Sequence, residues 1–122
     1  MRKPEWEAAE EALIEACDRA EKNGMAITFG SFGLALRGPT YEPTGSKVCP
    51  IGAYLLGKEA RNGNLEDFTE DLHLEDMAWS IALYKAFDGT ECLIPDSQKK
   101  DPAIQDGIET GRRLRDMYIQ EP

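Results

Sequence analysis

Between Glu75 and Phe87 the residues Met77, Ala78, Trp79, Ile81, Ala82, Leu83, Tyr84 and Phe87 fall on nearly every side of a helix. A helix with no polar face cannot lie on a surface, so other elements have to enclose it. This stretch constrains the fold more than any other, and Asp88-Gly89 ends it.

Two amphipathic segments are available to do the enclosing. From Pro4 to Asn23, Trp6, Ala9, Leu13, Ala16, Cys17 and Ala20 recur at helical spacing, with Glu5, Glu10, Glu11, Glu15, Asp18 and Glu21 on the other side. Pro4 suits a first turn and Gly24 a left-handed stop. At the other end of the chain Asp101 caps, Pro102 opens, and a helix runs to about Ile119 with Ile104, Gly107, Ile108, Gly111, Leu114 and Tyr118 inward. Glycine costs a helix about 1 kcal/mol relative to alanine. Gly107 and Gly111 therefore imply close approach to another helix, with the alanine-rich first helix as the expected partner. A self-association face on these two glycines is the alternative.

The region between these helices is less regular. Met25–Phe29 alternates loosely, Gly30-Ser31-Phe32-Gly33 interrupts, and Leu34-Ala35-Leu36 resumes on the opposite parity, the mark of a bend in extended chain. Gly38-Pro39 opens a polar loop, after which Ser46–Cys49 is expected to pair with Phe32–Leu36 as a small hairpin. Pro50–Leu56 reads as a short buried helix stopped by Gly57. Asn64-Leu65-Glu66-Asp67 starts the next helix, lined by Leu65, Phe68 and Leu72, and His73 sits at the following turn. The fold expected is α+β and mostly helical. It is a single domain over 1–122, its long first and last helices packed around the central apolar one, with a small β-hairpin.

Composition narrows the chemistry. A net charge of −9 disfavours nucleic acid as a partner, because that affinity rests on cations neutralising phosphates. No apolar run reaches the ~20 residues of a membrane span. The opening Met1-Arg2-Lys3-Pro4 has no secretion-signal character, and three scattered cysteines make no disulfide framework, so a cytoplasmic protein with reduced thiols is expected. One histidine and isolated cysteines form no metal-ligand spacing, and the glycines at 30 and 33 lack a phosphate-loop fingerprint; neither metal nor cofactor is expected.

Two candidate sites are left. Cys49 directly precedes a helix-opening proline, where backbone N–H groups and the helix dipole favour a thiolate, and His73 is the one histidine that could serve as its base. The neighbours Val48, Ile51, Ala53 and Leu55 are those of a core, and favour a buried structural cysteine. The acidic pairs Glu66-Asp67, Glu70-Asp71 and Glu75-Asp76 could form a negative surface for a protein partner.

Val48-Cys49-Pro50-Ile51-Gly52-Ala53, Leu72-His73-Leu74-Glu75-Asp76 and Ala86-Phe87-Asp88-Gly89 together resemble small uncharacterised bacterial proteins with a C-P-x-G-A helix start and an F-D-G helix end. The resemblance implies a helical layout with Cys49 and Asp88-Gly89 as framework positions, and brings no activity. The expected role is a non-catalytic protein-interaction or regulatory module, with homodimerisation open to it. Alternatives are a thiol enzyme built on Cys49 and His73, and an acidic mimic of nucleic acid.

Overall fold

The structure is a computed structural model and describes residues 2–119. Five helices carry the fold: α1 (Pro4–Lys22), α2 (Pro50–Leu55), α3 (Asn64–Asp71), α4 (Ala78–Phe87) and α5 (Pro102–Tyr118). Four short strands, β1 (Ala26–Ile27), β2 (Leu34–Arg37), β3 (Thr40–Pro43) and β4 (Lys47–Val48), lie between α1 and α2. The α+β class, the small hairpin and the packing of the long first and last helices with the central one all hold. Among the described residues no helix is long and apolar enough to cross a membrane.

The apolar helix is enclosed as its composition requires. Trp79, Leu83 and Phe87 join Leu13, Cys17, Val48, Ile51, Leu55, Phe68 and Leu114 in the main core, while Ala82 and Ala86 face Ile94, Ile104 and Ile108. Helix α4 begins at Ala78, three residues later than Glu75. The Asp76 carboxylate accepts the Ala78 N–H at 2.9 Å, which starts the helix there.

The glycines of α5 meet α4 and not α1. A Cβ on Gly107 would stand 2.8 Å from the Ala82 Cβ, and one on Gly111 2.8 Å from the Ala86 Cβ. The small residues of the two helices face each other, so the expected partner is corrected from α1 to α4. The same contact fills the face that self-association through Gly107 and Gly111 would need. Helix α1 lies mostly on α2 and reaches α5 through side chains.

The hairpin also differs from expectation. Leu34–Arg37 pairs antiparallel with Thr40–Pro43 across the two-residue turn Gly38-Pro39, and Lys47–Val48 pairs parallel with Ala26–Ile27. Gly38 has φ 61°, the positive value that such a turn asks of its first central residue. Tight turn chemistry overrides the longer loop read from the polar stretch 38–45. The bend before β2 is real: Gly30 and Gly33 have φ of 92° and 73°.

Candidate functional site

Cys49 caps α2. Its backbone is extended (φ −85°, ψ 170°), and its Sγ accepts the Gly52 N–H at 3.3 Å, satisfying one of the open donors of the first turn. The position is the one expected from sequence, but the surroundings reverse its chemistry. The side chain is 1% exposed, and burial pushes the thiol up to about 12, overriding the Gly52 and Ile51 N–H groups that act the other way.

His73 is not brought to it. That residue is exposed, ends α3 in the left-handed conformation (φ 57°), and has its N–H on the Glu70 carbonyl at 3.0 Å. Among the described residues no hydrogen bond links it to Cys49. The negative charge of Asp88 raises the thiol further, and its Oδ1 accepts the Gly30 N–H at 3.1 Å. Phe32 from the same glycine loop stacks on Tyr84 at 5.0 Å, and a Cβ on Gly52 would fall on the Phe32 carbonyl. The Cys-Pro-x-Gly and Phe-Asp-Gly segments thus meet over one loop, and each locks a different side of it. In a protein so built, Cys49 is expected to resist alkylation at every pH from 5 to 9 while Cys92, which is exposed, is labelled. Mass spectrometry of the native protein checks this; rapid Cys49 labelling below its unfolding threshold would contradict the buried capping role.

The acidic residues divide into two groups. Asp67 is 2% exposed and is no part of an exposed surface. Its carboxylate accepts the Tyr41 hydroxyl at 2.6 Å and the Arg61 and Asn62 N–H groups at 2.9 and 2.8 Å. Burial pushes that carboxyl up, yet the three hydrogen bonds outweigh it and hold it below its usual range. Tyr41, buried against Asp67, is pushed up to about 12. Asp71 is half-buried and paired, with the Tyr54 hydroxyl and with Lys58 at 3.4 Å. Its Tyr54 bond lowers it despite partial burial. Glu66, Glu70, Glu75 and Asp76 remain exposed, with Glu70 bonded to the Asn62 amide and Asp76 to Ala78. Of the six acids of the sequence, Asp67 therefore drops out of any exposed surface and Asp71 is half-withdrawn into pairing, while the other four face solvent.

Sequence reasoning missed the surface feature of the hairpin. Outside β3 the chain doubles back: Tyr41 N–H donates to the Lys58 carbonyl at 3.0 Å, Gly57 N–H to the Tyr41 carbonyl at 2.8 Å, and Ala60 N–H to the Pro39 carbonyl at 2.6 Å. Nothing comparable covers β2 among the described residues. Its Leu36 is 61% exposed, beside an open groove of about 440 Å³ lined by Leu34, Ala35, Tyr41, Ala60, Arg61 and Gly63. Leu36 resumes an apolar run in the sequence and gives no hint there that it points outward. Among the described residues no group of histidine, cysteine and carboxylates is arranged to hold a metal. The chain matches no protein-family model, no curated protein and no solved structure.

Proposed function

We propose that this chain is a non-catalytic protein-interaction module, and that hairpin β2–β3 is its contact surface. The observation that carries this reading is the uncovered edge of β2 with Leu36 beside it, 61% exposed. Proteins usually shield strand edges with charge, proline or covering chain, as β3 is shielded here, since a bare edge pairs readily with other chains. An exposed leucine alone is unremarkable; a leucine on an open backbone edge, above a groove, supplies both the hydrogen bonds and the apolar anchor of strand addition.

The chemical groups that could argue for catalysis have structural occupations instead. Cys49 caps α2, Asp67 and Asp71 hold tyrosines, and Asp88 holds the glycine loop. The exposed acids Glu66, Glu70 and Glu75 favour solubility and repel non-specific anionic partners.

A photo-crosslinking residue at position 36 is expected to trap a discrete species in cells. The same residue at Glu11, on the exposed side of α1, is expected to trap none. Leu36→Asp should abolish binding with the thermal midpoint unchanged, since an exposed side chain contributes little to stability. Equal trapping from both positions, or none from position 36, would remove the hairpin from consideration.

A further inference from the structure

We infer that the partner of the β2 edge is a second copy of this chain, joined antiparallel about a two-fold axis at Ala35. The inference rests on the reading of the hairpin as the contact surface, and goes beyond it in naming the occupant and the register.

Hydrogen-bond alternation sets that register. In an antiparallel pair closed by a two-residue turn, the residues flanking the turn exchange hydrogen bonds, and every second pair does so again. Here those are Arg37 with Thr40 and Ala35 with Glu42, and beyond the strand the Thr44 N–H donates to the Gly33 carbonyl at 3.0 Å. Pro43, which has no N–H, falls in a non-bonded pair with Leu34, as it must. The groups of Tyr41 point outward from β3 on the same count, and they are bonded to Lys58 and Gly57. Leu34 and Leu36 are therefore the residues whose N–H and C=O point outward from β2. Among the described residues none of these four groups has a partner.

Two such edges fit each other in one way. Leu34 of each copy pairs with Leu36 of the other, all four outward groups on each side are satisfied, and Ala35 lies opposite Ala35. That central pair is the close, non-bonded type, with Cα atoms about 4.5 Å apart, and an exposed alanine is small enough for it. Leu34 and Leu36 share the face that opens on the groove beside Ala60 and Arg61, so Leu36 of one copy enters the groove of the other. On the opposite face each copy brings Glu42 in line with Ala35, and Arg37 diagonal to it.

Charge and area fit the same occupant. A chain of net charge −9 repels its own copies over most of its surface. Across β2–β3 the charges are one Arg37 and one Glu42 per copy, and Arg37 has no ion pair among the described residues. The two-fold places two cations and two carboxylates on one face, with no net charge. The area covered by two four-residue edges and their leucines is on the order of 700 Å², in the range of weak, transient association.

Disulfide trapping tests the register. In a Cys92→Ser background, which leaves only the buried Cys17 and Cys49, Ala35→Cys is expected to form covalent dimers under mild copper–phenanthroline oxidation. The rate should be at least about tenfold above that of Arg37→Cys or Glu42→Cys. In this register two Arg37 positions are about 13 Å apart along the strands, beyond disulfide reach. The species trapped from position 36 should have twice the chain mass.

Equal rates at positions 35, 37 and 42 would mean random collision and would overturn the inference. A trapped species of another mass, with no Ala35→Cys dimer, would sink the second copy while leaving the interaction reading intact. No trapping at either position would remove both. Should Ala35→Cys fail to fold, sedimentation of the unaltered protein decides. Average mass is expected to rise between about 10 µM and about 1 mM and to stay monomeric in Leu36→Asp; a flat mass in both would overturn the inference.

Discussion

Replacing Gly107 and Gly111 together by alanine is expected to destabilise the protein, although helix propensity alone predicts a gain of about 1 kcal/mol at each position. The sign is reversed by what the new methyl groups meet. At Gly107 the Cβ would lie 2.5 Å from the Trp79 carbonyl oxygen and 2.8 Å from the Ala82 Cβ. At Gly111 it would lie 2.6 Å from the Leu83 carbonyl oxygen and 2.8 Å from the Ala86 Cβ. These opposing atoms belong to backbone and to alanine, neither of which can rotate away, so α5 has to move off α4 as a whole. Overpacking of this kind costs up to about 3 kcal/mol per site, leaving about 2 kcal/mol of net loss for each. The two sites share one interface, so their sum of about 4 kcal/mol is an upper guide. Urea unfolding of the single and double variants measures it. A gain in stability from either alanine would mean that α4 and α5 lie farther apart than described.

Asp106→Ala is expected to cost about 3 kcal/mol, the range found when one member of a buried charged cluster is removed. Asp106 sits under the start of α1 and accepts Arg2 Nε at 2.7 Å, Arg2 Nη2 at 3.0 Å, Trp79 Nε1 at 2.8 Å and the Thr110 hydroxyl at 3.2 Å. Glu10 completes the cluster by accepting Arg2 Nη1 at 2.7 Å and the Nε and Nη2 of Arg113 at 2.9 Å each. Removing the carboxylate leaves the Trp79 N–H without an acceptor in the core and costs Arg2 its main anchor. Arg2→Ala is expected to cost less, because its side chain is about a third exposed and Asp106 keeps two donors. The double variant should cost less than the sum of the two.

The pH dependence of stability follows from the same cluster. Arg113 lowers the Glu10 carboxyl most. At Asp106 burial acts upward but is outweighed by the bonds from Arg2 and Trp79. Both therefore lie below their ordinary values of 4.5 and 3.8. Below those values the unfolded chain takes up protons that the native carboxylates refuse, so the contribution is complete at neutral pH. It is lost as pH falls through the native values. Wild-type stability should drop steeply under about pH 4.5, and more gently in Asp106→Ala.

The sequence by itself determined the helices and their order, because each reports its burial locally. The all-round apolar stretch at 78–87 had to be central. The stripe of α1, Pro4 and Pro102 as helix openers, the Asp101 cap and Gly24 all act within a turn of where they stand. The capping position of Cys49 was equally legible, since Pro50 follows it. What the sequence left open was how groups distant along the chain meet. Parity could not choose a β2 partner, since both Thr40–Pro43 and Ser46–Cys49 offer short extended runs, and the positive φ of Gly38 settles it. Glycine spacing announced a close helix contact without naming α4. Asp67 and Asp71 look like Glu66 and Glu70 in a row of acids, and only Tyr41 and Tyr54 arriving from other elements bury the first and pair the second. The thiol of Cys49 illustrates the division most plainly. A helix start lowers a thiol's pKa through nearby N–H groups, a local effect visible in sequence. Burial raises it through the loss of water on every side, and that is decided by the main core that the tertiary fold assembles around Cys49.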